Sequence, residues 1–262
     1  MIVKYQKLLS ILHELESVVI AFSGGVDSTF LLRAVRESGI SAMAVTSYSE
    51  TLPAAELDNA VAMAKSIGAA HKVIATEELS NPLFVCNPRD RCFYCKDELF
   101  SKLVIMARDE GYRFVIDGSN SDDLSDRRPG RQAAAKYGVR SPLIEAGLTK
   151  DEIRDLSRAM GLPTWCKPAS PCLSSRFPYG VRITKEALKR VEQAEAFLKG
   201  LGFGELRVRS HNDMANIEVG PQELSRFFDR EIREAVVQRL KAVGFKYVSI
   251  DLEGFRSGKL NE

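Results

Sequence analysis

Very little in this 262-residue chain is present in excess. No uninterrupted apolar stretch is long enough to span a bilayer, and the opening residues MIVKYQKLLSILHELES have neither a long apolar core nor a small-residue cleavage site. Membrane and exported classes are set aside, and a cytoplasmic location is the default expectation. Charge is nearly balanced, 37 basic residues against 35 acidic ones, so composition gives no support to nucleic-acid binding. The three histidines have no mutual spacing and make no metal site. Five cysteines are an odd number without an export signal, which argues against a disulfide framework and leaves reduced thiols, metal ligands or chemistry. There is no internal repeat and no low-complexity segment. What remains, 45% hydrophobic and 27% charged, describes a globular protein with room for a sizeable core in two unequal domains.

The first 165 or so residues alternate β-type apolar runs, at Val18 to Phe22, Ala42 to Ser47, His71 to Ala75 and Phe114 to Ile116, with helical patterns. The helical patterns lie near Ser28 to Ser38, Ala54 to Ile67 and Lys96 to Asp109, each followed by a glycine stop. Such alternation predicts a parallel sheet covered on both faces. LTKDEIRDLSRAMGLP adds a helix with Thr149 as N-cap, Glu152 completing a capping box, and Gly161 and Pro163 as the stop. From Pro163 to Tyr179 the proline-rich PTWCKPASPCLSSRFPY has neither period and reads as a long functional loop. A helix near Lys185 to Lys199, strands at Leu206 to Ser210 and Ala215 to Val219, a helix near Pro221 to Ala242 and a strand at Tyr247 to Asp251 predict a small α+β domain with a mainly antiparallel sheet. The boundaries expected are residues 1–165, an active-site loop at 166–182, and 183–262.

The most informative stretch is VVIAFSGGVDSTFLL, an apolar strand run into Ser23-Gly24-Gly25-Val26-Asp27-Ser28 and then into a helix. A parallel strand delivers this turn to the carboxyl edge of the sheet, and the next helix presents unpaired N–H groups. Gly24 and Gly25 let backbone approach a ligand, Ser23 and Ser28 add hydroxyls, and helix dipole and amides together favour phosphate. There is no Gly-Lys-Ser/Thr ending; Asp27 instead stands where a metal or its water shell is held. The bland alternative is a serine–glycine turn capped by Asp27.

In this context the six residues resemble the SGGxDS loop of the PP-loop ATP pyrophosphatases. That resemblance implies an adenine nucleotide alpha hydrolase-like parallel sheet, binding of ATP with Mg2+, and transfer of AMP to a substrate with release of pyrophosphate. Ser47, Gly118 and Arg131 join the loop as expected ATP contacts, and Asp27 and Ser28 are the expected catalytic members. Further stretches resemble one family in order along the whole chain: RCFYCK, DGSNSDD, RPGRQAA with GVRSPL, KPASPCLSSRFPYG, RVRSH and DLEGFRSGKLNE. They are similar to the LarE family of ATP-dependent sulfurtransferases, which make a nickel-pincer nucleotide cofactor. The resemblance implies adenylation of a carboxylate on pyridinium-3,5-biscarboxylic acid mononucleotide, attack by the sulfur of Cys172, loss of that sulfur to leave dehydroalanine, and a homo-oligomer.

The residues are coherent with that chemistry. A thiolate is a good nucleophile toward an acyl phosphate, and Lys167 and Arg176 flank Cys172 with positive charge. Cys166 departs from a single-cysteine loop, so Cys166 and Cys172 are also candidate ligands of a [4Fe-4S] cluster carrying an added sulfide. Cys92 and Cys95 form a CxxC with Cys86 upstream, too few ligands for zinc, and read as structural or redox-protective. Arg207 and Arg209 share one strand face and, with Arg176, are candidates to hold a substrate phosphate, the alternative being a solvated edge strand. Arg140 is a further candidate for ATP or substrate. Asp117, Asn120 and Asp122 follow a strand and are expected at the cleft. A tRNA-thiolating enzyme would need a basic docking surface, which near-zero net charge does not supply; a non-catalytic ATP-binding regulator would not need Asp27 or a cysteine loop.

Overall fold

A computed structural model describes residues 2–124, 129–256 and 259. Arg128 of the RPGRQAA stretch and residues 257, 258 and 260–262 of the C-terminal stretch lie outside the described residues. The chain divides into two compact units, residues 1–84 with 90–170, and residues 85–89 with 171–262. No helix among the described residues is long and apolar enough to cross a membrane.

In chain order the first unit holds α1 (Ile2–Leu15), β1 (Ser17–Ala21), α2 (Val26–Ser38), β2 (Ser41–Tyr48), α3 (Ala54–Ile67) and β3 (His71–Ala75). After α4 (Pro82–Val85), whose last residue belongs to the second unit, come α5 (Arg91–Asp109), β4 (Phe114–Ile116), α6 (Pro129–Lys136), α7 (Pro142–Ala146) and α8 (Lys150–Ala159). The four strands form one parallel sheet in the order β3-β2-β1-β4. Alternation along the central strand splits its side chains between two cores. Val18 and Ile20 pack with Leu8 and Leu12 of α1, Phe30 of α2, Ala60 of α3 and Ile153 of α8. Val19 points the other way, to Leu99, Phe100 and Leu103 of α5 and Ala133 of α6. This is the expected PP-loop domain, with helices on both faces.

The second unit holds α9 (Lys185–Gly200), β5 (Leu206–His211), β6 (Met214–Val219), α10 (Arg230–Ala242) and β7 (Tyr247–Ile250). Its sheet runs β5-β6-β7, antiparallel at the first pair and parallel at the second, so it is mixed and not mainly antiparallel. The reason is connectivity: β5 and β6 are joined by a tight turn at Asn212, whereas β6 reaches β7 through α10, a crossover that returns the chain in the same direction. The helix expected over residues 221–242 is two elements. A 3-10 stretch (Pro221–Phe228) ends where the Asp229 carboxylate accepts from the Glu231 and Ile232 amides and so starts α10 afresh. The region 163–179 also contains two 3-10 turns, Pro163–Cys166 and Leu173–Arg176.

Candidate functional site

The phosphate loop sits at the carboxyl edge of β1. Phe22 still donates to Val45 O (2.9 Å), holding the chain in sheet register until the loop begins. Ser28 Oγ accepts from the Ser23 amide (3.3 Å), lies 3.1 Å from Ser23 Oγ, and donates to Gly25 O (3.4 Å), closing the loop on the first turn of α2. Gly25 occupies the N-cap position in an extended conformation and offers no side-chain cap. The first amides of α2 are thereby left to an external acceptor, the arrangement that favours an anion. Gly24 has φ +67°, and a Cβ there would stand 2.8 Å from Ala60 Cα. Its glycine is demanded by α3 as well as by the turn.

Asp27 is reached by a residue the sequence did not single out. Lys150 Nζ lies 2.6 Å from Asp27 Oδ2, while Asp27 Oδ1 is buried with no hydrogen-bond partner. Lys150 is placed by the cap of α8, where Thr149 Oγ1 accepts from the Glu152 amide and the Glu152 carboxylate from the Thr149 amide, as the sequence predicts. The Lys150 amide also donates to Asp122 Oδ2 (2.8 Å), which ties the DGSNSDD stretch to the same helix end. Within that stretch Asp117 accepts from Ser119 Oγ (2.8 Å) and Ser141 Oγ (2.7 Å), and Asn120 Oδ1 from the Asp122 amide (3.0 Å). A Cβ on Gly118 would come within 3.0 Å of the Ser28 amide nitrogen, so Gly118 is what lets β4's loop approach the first turn of α2.

The other expected contacts of this unit are more scattered. Arg131, half-buried on α6, reaches Asp123 O at 3.5 Å. Ser47 is half-buried near the end of β2; its buried neighbour Thr46 donates to Phe22 O (2.9 Å) and meets His71 Nε2 at 2.9 Å. His71 is half-buried, and burial pushes its imidazole below its ordinary pKa. Arg140 pairs with Glu145 of α7 through both carboxylate oxygens and holds that carboxyl below its usual range. Lys167 is engaged within the first unit. Its ammonium donates to Glu56 Oε2 (2.8 Å) and to Gly24 O (3.2 Å) in the phosphate loop, and Arg154 fixes the segment by donating to Trp165 O and Lys167 O.

Cys166 is exposed at the end of a 3-10 turn in the first unit, and Cys172 is half-buried in the second. Cys172 O is gripped by the Ser175 amide (3.0 Å), Ser175 Oγ (2.9 Å) and Arg176 Nη1 (3.1 Å). Arg176 is only 2% exposed: it donates to Pro171 O and makes a two-point ion pair with Glu195. Its charge is already matched, so what it supplies to Cys172 is position. Among the described residues no three His, Cys, Asp or Glu groups converge to hold a metal, and an iron–sulfur cluster wants three or four such ligands.

Beside this loop β5 is an edge strand, with Arg207 and Arg209 on one face. Arg209 pairs with the buried Glu218 and donates to Ser175 O (2.7 Å). Arg207 lies over the Phe255 ring, and burial together with the nearby Arg176 and Arg209 guanidiniums pushes it down to about 10. Arg176 and Arg209 are thus each matched by a buried glutamate, Glu195 and Glu218.

No family model matches the chain. An uncharacterized protein of Synechocystis sp. is 47% identical over 98% of this chain and 97% of its own length. An uncharacterized protein of Methanocaldococcus jannaschii is 31% identical over 92% of each. The pyridinium-3,5-bisthiocarboxylic acid mononucleotide synthase of Lactiplantibacillus plantarum is 37% identical over 99% of this chain and 94% of its own length. Similarity at that level along nearly the whole of both chains, on a strand, loop and helix of the expected build, means that this chain belongs to the LarE family.

Proposed function

We propose that this chain is an ATP-dependent sulfurtransferase that adenylates a carboxylate of pyridinium-3,5-biscarboxylic acid mononucleotide and converts it to the thiocarboxylate. The observation that carries the reading is the loop at residues 23–28, closed by Ser23 and Ser28 around uncapped helix amides with Asp27 and Lys150 beside it. The amides and serine hydroxyls hold the β- and γ-phosphates, which leave as pyrophosphate when the substrate carboxylate attacks the α-phosphorus. Ser47, Gly118 and Arg131 complete the nucleotide site. The orphaned Oδ1 of Asp27 suits a hard cation, so Asp27 would hold Mg2+, which neutralises phosphate charge. Lys150 is the cation that balances Asp27 otherwise.

The second half-reaction belongs to Cys172. Its thiolate attacks the acyl carbon and expels AMP; loss of the Cys172 Cα proton to a base, with breaking of the Cβ–Sγ bond, then releases the thiocarboxylate and leaves dehydroalanine in the chain. The donor set favours this sacrificial route over a cluster, because one thiol suffices for it. Arg207 and Arg209 hold the substrate phosphate: they share one strand face, and a dianion meets guanidiniums that burial and one another disfavour.

Mass spectrometry of the AMP adduct and of pyrophosphate release tests the reading. Asp27→Ala and Ser28→Ala are expected to abolish both, and Cys172→Ala to retain both while yielding no thiocarboxylate. Normal adduct formation in the first two variants would remove the loop from the mechanism.

A further inference from the structure

The CxxC of the RCFYCK stretch has a partner that the reaction above does not use. Cys92 and Cys95 are the second and fifth residues of α5, so they lie one turn apart on the same face, Cys92 exposed and Cys95 half-buried. Cys95 Sγ donates to Glu78 Oε1 (3.4 Å), which also accepts from Thr76 Oγ1 (3.1 Å). Glu78 is 3% exposed, and its second oxygen, Oε2, is buried without any hydrogen-bond partner. A carboxylate oxygen buried beside a thiol with no donor of its own is unusual, because such a group ordinarily finds one. Among the described residues no three His, Cys, Asp or Glu groups converge beside it to hold a metal.

We propose that Cys92 and Cys95 are a redox-active dithiol that exchanges with disulfides, with Glu78 as the base for Cys95. The division of labour follows from exposure. Cys92, in the helix turn that favours an anion, attacks a low-molecular-weight disulfide RSSR, forming Cys92–S–S–R and releasing RS−. Cys95 then gives its proton to Glu78 and attacks Cys92 Sγ, forming the Cys92–Cys95 disulfide and releasing the second RS−. Two protein thiols are oxidised and one disulfide is reduced to two thiols, so atoms and electrons balance. Residues one helical turn apart must draw closer to bond, and the first turn of a helix is where the backbone yields most easily. The same turn abuts α6, since a Cβ on Gly130 would lie 3.1 Å from Lys96 Cγ and 3.7 Å from Cys92 O. Closing the dithiol therefore acts on the helix that carries Arg131.

Glutathione disulfide is the probe, with proteolytic peptides read by mass spectrometry. The wild-type chain is expected to yield the 92–96 peptide two hydrogens lighter, with no glutathione retained. Cys95→Ser is expected to stop at a stable glutathione adduct on Cys92. Glu78→Gln should slow ring closure on the order of a hundredfold near neutral pH, with the difference shrinking as pH rises and hydroxide replaces the base. Equal glutathione retention on Cys92 in wild type and Cys95→Ser, or a folded Glu78→Gln chain with an unchanged rate and pH profile, overturns the proposal. Should Glu78→Gln fail to fold, the Cys95→Ser comparison decides alone.

Discussion

Lys150 and Asp27 meet 2.6 Å apart with side chains 35% and 22% exposed, so their ion pair stabilises the fold by no more than about 1 kcal/mol. A role in balancing phosphate or metal charge would be far larger. Lys150→Ala is therefore expected to leave the melting temperature nearly unchanged while adenylation falls on the order of a hundredfold; parallel losses in both measurements would make the residue structural. The two arginines of β5 separate by the same logic. Arg209→Ala strands the buried Glu218 and should destabilise the protein by about 3 kcal/mol or more. Arg207→Ala removes a charge its surroundings disfavour, so it should weaken substrate binding with little effect on stability; calorimetric titration alongside thermal melts distinguishes the pair. The pairings of Lys150 with Asp27, Lys167 with the phosphate loop and Glu195 with Arg176 carry no sequence signature. Each spans 19 or more residues of chain, and only the folded backbone brings the partners together.

Where an element's signals are local, the sequence and the structure agree closely. The helix read over Ala54 to Ile67 has those bounds, stopped by Gly68 at φ +70°, and the Thr149–Glu152 box forms as written. Where the deciding contact is a turn, the signal is lost. The short 3-10 turns at 163–166 and 173–176 are held by one or two hydrogen bonds and leave no 3.6-residue period, and Asp229 breaks a continuous apolar pattern simply by capping. The contact between β2 and β3 yields a pH dependence. His71, bonded to Thr46, has its pKa lowered by burial, so the unfolded chain takes up a proton near pH 6.5 that the folded chain refuses. Its contribution is complete above pH 6.5 and is lost as pH falls toward the depressed folded value. Stability curves of wild type and His71→Gln should run parallel above pH 7 and converge as pH falls below 6.5; curves parallel throughout would refute this.

At the scale of the whole molecule, the phosphate loop was legible because six contiguous residues build it, whereas the mixed sheet and the division of the chain were not, because both depend on where distant segments return. Residues 85–89 belong with 171–262 although they interrupt the first unit. Asn87 is fully buried with φ +52°, and its amide donates to Phe177 O (3.3 Å) and Pro178 O (2.7 Å); Ile183 N donates to Val85 O (2.9 Å). Three hydrogen bonds and a buried valine amount to about 4 kcal/mol, a large share of what a unit of this size has to lose. A fragment of residues 171–262 should accordingly lack a cooperative thermal transition by near-ultraviolet circular dichroism, and a sharp one would show the five residues to be dispensable. The same short excursion bears on inheritance. Genetic exchange with a single crossover near residue 170 would pair one parent's 171–262 with the other parent's 85–89, so chimaeras should survive only where both parents agree at Val85 and Asn87, and the two halves of the gene travel through evolution as one.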